Sequence, residues 1–306
     1  MSQTGNPDQP IDISGEVLKI DTGLVSLDVT VVDQSNIPVY DLSKENFAIT
    51  EDKIPQVIES VDREETPISF GIVMDASGSM RSKLSAVTVS AHDLLKEMKP
   101  EDEGFVAQFQ YQTELIQPFT LDKSKLDQAL DTIVPDGGTA MLDAIINTSE
   151  YVTKKGKLRR KALIIISDGV EKNSLSRENE VMDAIKESDA QVYLIGFIPD
   201  EEGSSPLSVD ANLKARALLT RLADESGGRA FFPRNIHEMD EIAKQISKDL
   251  RSQYTINYYP TNERKDGSYR KIKVTVTTPD NRKLIARTRL GYTAKTEGTT
   301  EATRTP

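Results

Sequence analysis

The chain has 306 residues, enough for one large domain or two ordinary ones with a substantial hydrophobic core. Its 38 basic and 49 acidic residues give a net charge of −11, which disfavours binding to nucleic acids or to anionic membrane surfaces. Cysteine is absent, which excludes disulfides and thiolate metal sites, and no apolar run approaches the ~20 residues of a membrane span.

Both ends of the chain have the composition of disordered segments. Residues 1–15 are polar and rich in Pro, Gly and Asp, and residues 294–306 are low in complexity and in apolar side chains. The N-terminus has neither the basic n-region nor the apolar h-region of a signal peptide. We expect both ends to be disordered.

The segments next to these ends alternate between apolar and polar residues. Val25–Val31 has this pattern, and 271–277 repeats it after Asp266-Gly267, a dipeptide typical of hairpin turns. Such alternation predicts antiparallel strands with one buried face. Each flank offers too few strands for independent stability. We therefore predict that residues 16–65 and 252–293 form the two halves of one small antiparallel β-sandwich.

Between the flanks, from residue 66 to 251, strand patterns alternate with helical ones. Predicted strands lie at 68–74, 104–110, 114–119 (an edge strand), 162–167, 191–197 and 229–232. Predicted helices lie at 82–98, 122–133, 139–154, 176–188, 211–226 and 236–251. This alternation predicts an α/β domain with a doubly wound, mostly parallel sheet, inserted into the β-sandwich.

Three short segments of this domain carry oxygen ligands. Asp75, Ser77 and Ser79 follow the first predicted strand, where open α/β sheets bind ligands. Asp168 follows the 162–167 strand in the same way, and Thr139 lies in a glycine turn that opens a helix. Carboxylates and hydroxyls suit Mg²⁺, Mn²⁺ or Ca²⁺. Taken alone, the Asp-Ala-Ser-Gly-Ser segment fits either a cation site or an ordinary turn.

The ordered set of five residues resembles the metal-ion-dependent adhesion site of the von Willebrand factor A domain. That site combines Asp-x-Ser-x-Ser, a loop threonine and a later strand-end aspartate, and these features match Asp75, Ser77, Ser79, Thr139 and Asp168. Over residues 16–293 the chain is also similar to von Willebrand factor A-related proteins of the acidobacterial type. That likeness includes the segments 46–52, 227–233, 250–254 and 291–292.

The resemblance implies a function. Such a domain binds Mg²⁺, or Mn²⁺ or Ca²⁺ in its place, and an acidic side chain of a partner protein completes the coordination of the ion. The implied protein is a bacterial adhesion module, secreted or periplasmic, and not an enzyme. Two residues of this set supply carboxylates and three supply hydroxyls. Five such ligands leave room for water or an incoming ligand on an octahedral ion.

Two alternatives stay open. An acid-lined metal at a sheet edge also serves Mg²⁺-assisted hydrolases and phosphoryl-transfer enzymes. However, Ser77 stands where an aspartyl nucleophile of the dehalogenase-like kind has a second acid, and the sequence indicates no convergent general base. The other alternative is a structural assembly subunit with a vestigial metal site.

The remaining charged residues near these motifs have simpler interpretations. Asp136 is interpreted as a turn former, and Asp143 as a solvated helix residue. The basic segment 154–161 is interpreted as a solvated turn at the sheet edge opposite the metal, where cations complement a helix C-terminus. His92 and His237 are expected at the surface or in packing, without zinc.

Overall fold

The computed structural model describes residues 23–63, 65–168, 171, 173–198, 206–294 and 296, without the side chains of 86, 206–208 and 236. The segment 1–15 and nearly all of 294–306, for which disorder is predicted, lie outside these residues.

The described residues contain fourteen strands and six α-helices. The strands are β1 (Val25–Val32), β2 (Phe47–Glu51), β3 (Ile54–Gln56), β4 (Ile58–Asp62), β5 (Ile68–Asp75), β6 (Glu103–Phe109), β7 (Thr113–Thr120), β8 (Arg160–Ser167), β9 (Ala190–Gly196), β10 (Arg229–Phe231), β11 (Tyr254–Tyr258), β12 (Tyr269–Val276), β13 (Ile285–Arg287) and β14 (Gly291–Thr293). The helices are α1 (Leu84–Lys96), α2 (Lys123–Asp131), α3 (Met141–Lys155), α4 (Glu178–Glu187), α5 (Pro206–Ser226) and α6 (Met239–Arg251).

The central sheet has the strand order β10-β9-β8-β5-β6-β7. All neighbours pair in parallel except β7, which is an antiparallel edge strand as predicted. Every residue of β5 is buried, because Ile72 and Met74 face a core formed with α1, α2 and α6 while Val73 faces a second core formed with α3, α4 and α5. The predicted doubly wound α/β fold is therefore confirmed.

The β-sandwich contains strands from both ends of the chain. One sheet has the order β13-β1-β11-β4 and the other β14-β12-β2-β3, so each takes two strands from either flank. Apolar residues of the two sheets, such as Leu27, Ile49, Ile256 and Ile272, meet in a third core. The flanking antiparallel sheets confirm the predicted fold class. The domain boundaries at 65/66 and 251/252 stay a prediction.

Two local predictions need correction. Asp266-Gly267 does not close a hairpin, because β11 and β12 belong to different sheets. Instead the Asp266 carboxylate accepts from the backbone N–H and the hydroxyl of Ser268, and Gly267 has φ +70°, which is a local turn. Helix α5 begins at Pro206 rather than at 211, since proline fits the first turn of a helix.

Candidate metal centre

The candidate site lies at the carboxyl ends of two neighbouring strands. β5 ends at Asp75 and β8 ends at Ser167, and the two strands pair in parallel with Met74 opposite Ile166. Asp168 follows β8 directly, so parallel pairing brings both predicted acids to the same edge of the sheet. Both acids are buried, with Asp75 fully inaccessible.

The Asp75 carboxylate is held in a fixed orientation. One oxygen accepts from the Ser77 backbone N–H at 2.9 Å and the other from the Ser167 hydroxyl at 2.5 Å. Burial raises the pKa of Asp75 above its ordinary value, the bonds from Ser167 and Ser77 oppose this, and the negative charge of Asp168 adds to it. The two carboxylates are thus close enough to repel each other.

The serine turn places two hydroxyls beside this pair of acids. The Ser77 and Ser79 hydroxyl oxygens are 3.0 Å apart. A short 3₁₀ helix, Gly78–Met80, forms the turn, and the fully buried Met80 side chain anchors it to the core. Ser77 is buried whereas Ser79 is exposed, so the turn connects the buried acids to solvent.

The threonine loop is bonded directly to the serine turn. The N–H of Asp136 donates to the Ala76 carbonyl at 2.8 Å, and the N–H of Gly78 donates to the Gly137 carbonyl at 3.2 Å. Gly137 has φ +74°, a conformation that favours glycine. These backbone bonds bring the loop of Thr139, whose side chain is buried, against the Asp75 loop.

A third loop, which the sequence analysis missed, supports Thr139. The Asn173 side-chain oxygen accepts from the Thr139 N–H at 2.9 Å, and the Asn173 N–H donates to the Thr139 carbonyl at 3.0 Å. The Glu171 carboxylate accepts from the backbone N–H groups of Asn173, Ser174 and Leu142. Since Leu142 lies in the first turn of α3, an acid there also complements the helix N-terminus.

Asp143 has a contact that the prediction of a solvated helix residue did not include. The Asp143 carboxylate accepts from the N–H groups of Leu175 and Ser176, both at 2.9 Å, so this partly exposed residue of α3 also fastens the third loop to the helix. Burial opposes its ionised form, but the bonds from Ser176 and Leu175 outweigh burial and lower the pKa of Asp143. Asp136 is exposed.

The basic segment 154–161 lies at the opposite edge of the sheet, but it is not wholly a solvated turn. Arg160 is buried and donates to the carbonyls of Leu250 and Gln253 at 3.4 and 3.2 Å. Arg159 donates to the carboxylate of Asp28 in β1 at 2.9 Å. The prediction fails for Arg160, which is buried, whereas Arg159 is exposed as predicted and also bonds to the sandwich.

The histidines occupy the positions expected of packing and surface residues. His92 is half-buried on α1, and its two ring nitrogens contact the carboxylates of Asp127 and Asp131 at 2.7 and 3.0 Å. These contacts link α1 to α2. His237 is exposed.

The donor set of the strand-end site fits a hard divalent cation. Two buried carboxylates that repel each other are stabilised when a cation lies between them. In the part of the chain that the structure describes, no three His, Asp or Glu side chains cluster as a metal site. A cation held by Asp75 and Asp168 would therefore need the hydroxyls of Ser77, Ser79 and Thr139, or water, as further ligands.

The fold and the strand-end site together define an open α/β domain with two buried acids at the carboxyl edge of its sheet. Residues 70–171 match the family model described as the von Willebrand factor type A domain, so the chain contains a domain of this type. A search of curated protein sequences found no match. None of the helices in the described part of the chain has the length and apolar character needed to cross a bilayer.

Solved structures share this fold at low sequence identity. The von Willebrand factor type A protein from Catenulispora acidiphila is 12% identical, with a TM-score of 0.50 over 89% of this chain and 75% of that one. Proximal thread matrix protein 1 from the mussel byssus is 14% identical, with a TM-score of 0.50 over 64% of this chain and 49% of that one. The vWF domain of the type V pili tip protein Mfa5 from Porphyromonas gingivalis is 14% identical, with a TM-score of 0.48 over 61% and 97%. The first two likenesses establish a shared fold and nothing about ligands.

Proposed function

We propose that this protein is a non-enzymatic, cation-dependent protein-binding module. Asp75, Ser77, Ser79, Thr139 and Asp168 hold one Mg²⁺ ion, with Mn²⁺ or Ca²⁺ as possible substitutes, and an acidic side chain of a partner protein completes the coordination. The observation that carries the proposal is the pairing of buried Asp75 with Asp168 at adjacent strand ends.

The chain's own residues prepare the site in two ways. Ser167 and the Ser77 N–H fix the Asp75 carboxylate, while Asn173 fixes the backbone of Thr139. The exposed Ser79 leaves the site open to a ligand from solvent. When bound, the ion supplies a positive centre that a partner's carboxylate can approach, in a protein whose net charge would otherwise repel it.

Titration calorimetry with Mg²⁺ and Mn²⁺ tests the metal site. Wild-type protein should bind both ions, with Mn²⁺ at least as tight as Mg²⁺. Asp75→Asn and Asp168→Asn should each lose binding, because each removes one of two carboxylates while keeping its size. The matched control is Asp136→Asn, a neighbouring exposed acid outside the set, which should bind as wild type does. Unchanged binding by a folded Asp75→Asn variant would overturn the assignment.

A phosphate-ester hydrolysis screen separates this proposal from the enzyme alternative. The proposal expects no turnover above buffer, with or without Mg²⁺. Mg²⁺-dependent turnover that Asp75→Asn abolishes would establish the enzyme instead.

A further inference from the structure

Three large apolar side chains stand exposed at the edge of the sheet that carries the candidate metal centre. Tyr111 is 63% exposed, Val134 is 66% exposed and Leu175 is 95% exposed. They lie in three separate loops: the β6–β7 turn, the segment after α2 and the segment before α4. Single exposed apolar residues are ordinary, but several on one face of a binding site indicate an interaction surface.

Tyr111 and Val134 border the threonine loop on one side. A Cβ added to Gly137 or Gly138 would lie 3.0 or 2.6 Å from carbons of the Tyr111 ring, so the ring rests directly on these glycines. The side chain of Gln110, next to Tyr111, donates to the Val134 carbonyl at 3.2 Å. Tyr111 and Val134 are thus tied to the loop that carries Thr139.

Leu175 is connected to the same loop through Asn173. Asn173, two residues earlier, exchanges two hydrogen bonds with Thr139. The Leu175 N–H is fixed by Asp143 in the first turn of α3. The Leu175 backbone is therefore held in place while its side chain projects into solvent.

We infer that Tyr111, Val134 and Leu175 form an apolar collar that selects the partner. The inference rests on the proposed function, because the collar borders the Thr139 loop of the proposed cation site. Its ligand is a protein segment with a single aspartate or glutamate flanked by large apolar side chains. The net charge of −11 argues against a polyacidic ligand, so affinity beyond the one carboxylate must come from apolar contact.

The probe is a set of immobilised nonapeptides with a central glutamate. One group has Leu and Phe on both sides of the glutamate, a second has Ser, and a third has further glutamates. Binding is measured in Mg²⁺ and in EDTA. Wild-type protein in Mg²⁺ should bind the apolar-flanked group about tenfold more tightly than the serine-flanked group, and the polyacidic group least.

Leu175→Ser is the most direct variant, since a side chain 95% exposed contributes little to folding. Leu175→Ser and Tyr111→Ser should each reduce the preference for apolar flanks several-fold, and Leu175→Ser should leave Mg²⁺ binding by calorimetry unchanged. The matched control is Val57→Ser, at an exposed apolar residue of the sandwich whose exposure (79%) lies between those of Tyr111 and Leu175, which should keep the wild-type preference.

The outcomes separate the collar from the cation. Equal binding of the apolar-flanked and serine-flanked groups by wild type, or a full preference in Leu175→Ser and Tyr111→Ser, would overturn the collar. A preference for apolar flanks that persists in EDTA would support the collar and overturn the cation-dependent function.

Discussion

The two edges of the central sheet are built from different side chains. At the carboxyl edge, loops are joined by backbone bonds and short polar groups, as where the Asp136 N–H meets the Ala76 carbonyl at 2.8 Å. At the amino edge, long cationic side chains join separate segments of the chain. Arg160 reaches two carbonyls there, and Arg251 donates to the Asp102 carboxylate, itself only 1% exposed, at 2.7 Å.

This difference assigns ligand binding to the carboxyl edge and much of the folding stability to the amino edge. The carboxyl edge presents oxygen atoms to a ligand, so changes there should alter affinity with a small effect on the free energy of unfolding. The amino edge joins the inserted α/β layer to a sandwich drawn from both chain ends, so changes there should destabilise the protein without altering the metal site.

The largest effect is expected for Arg160→Ala. Removing this buried cation leaves two carbonyls without its hydrogen bonds and takes away one of the two arginines beside Asp28, which should lower the free energy of unfolding by about 3 kcal/mol. Denaturant unfolding measures it. Arg159→Ala is the matched control, because it contacts the same Asp28 from a position 43% exposed and should cost less than about 1 kcal/mol. Equal losses in the two variants would contradict this account of the amino edge.

A smaller effect, dependent on pH, is expected at Asp249 in the last turn of α6. Burial raises the pKa of its carboxyl to about 6, although Arg287 and Arg229 oppose the shift. A raised pKa means that the folded state holds the proton more tightly. The resulting stability is fully present below pH ~4, the ordinary range of the group, and is lost as pH rises through about 6.

Asp249→Asn removes this titration. The difference in unfolding free energy between wild type and the variant should change by about 1–3 kcal/mol between pH 4 and 7, with wild type losing stability as pH rises. Denaturant melts across this range measure it. Asp240→Asn, at an exposed position of the same helix, should follow the wild-type profile. A pH-independent difference for Asp249→Asn would show that the burial of this carboxyl has no such consequence.

The smallest effect is expected at the carboxyl edge, in Gly138→Ala. A Cβ at this position would lie 2.2 Å from the Asn173 side-chain oxygen, which must then move away from the Thr139 N–H. We expect about a tenfold loss of Mg²⁺ affinity, equivalent to about 1.4 kcal/mol, with little change in unfolding free energy. Calorimetry measures the affinity. Gly78→Ala faces the same loop with its nearest neighbour at 3.6 Å and should bind within about twofold of wild type.

Sequence patterns predicted the parts of the molecule that depend on local order. The continuous apolar residues of β5 and β8 and the alternation in β12 each indicate how many faces of a strand are buried. The strand-end positions of Asp75 and Asp168 follow from that, because parallel strands present their carboxyl ends at one edge. In β1 the predicted single buried face holds only as far as Asp28, because all residues from 29 to 32 are buried.

Contacts between distant segments were not predictable in this way. Asn173 reaches Thr139 across 34 residues, and nothing in its local sequence indicates that contact. Arg160 lies in a run of basic residues typical of a solvated turn, yet it is buried because β8 begins beneath the α6–β11 junction. The sequence around Ser167 indicates only the end of a strand, although the Ser167 hydroxyl donates to the Asp75 carboxylate and orients it.

Amide hydrogen exchange of the wild-type protein in saturating Mg²⁺ and in EDTA tests most directly whether ligand binding is confined to the carboxyl edge. The account predicts slower exchange with Mg²⁺ in residues 76–81 and 137–142, where the serine turn and the threonine loop meet, and no change in residues 250–258 at the amino edge. Identical exchange of both loops in Mg²⁺ and EDTA, or an equal slowing through 250–258, would contradict it.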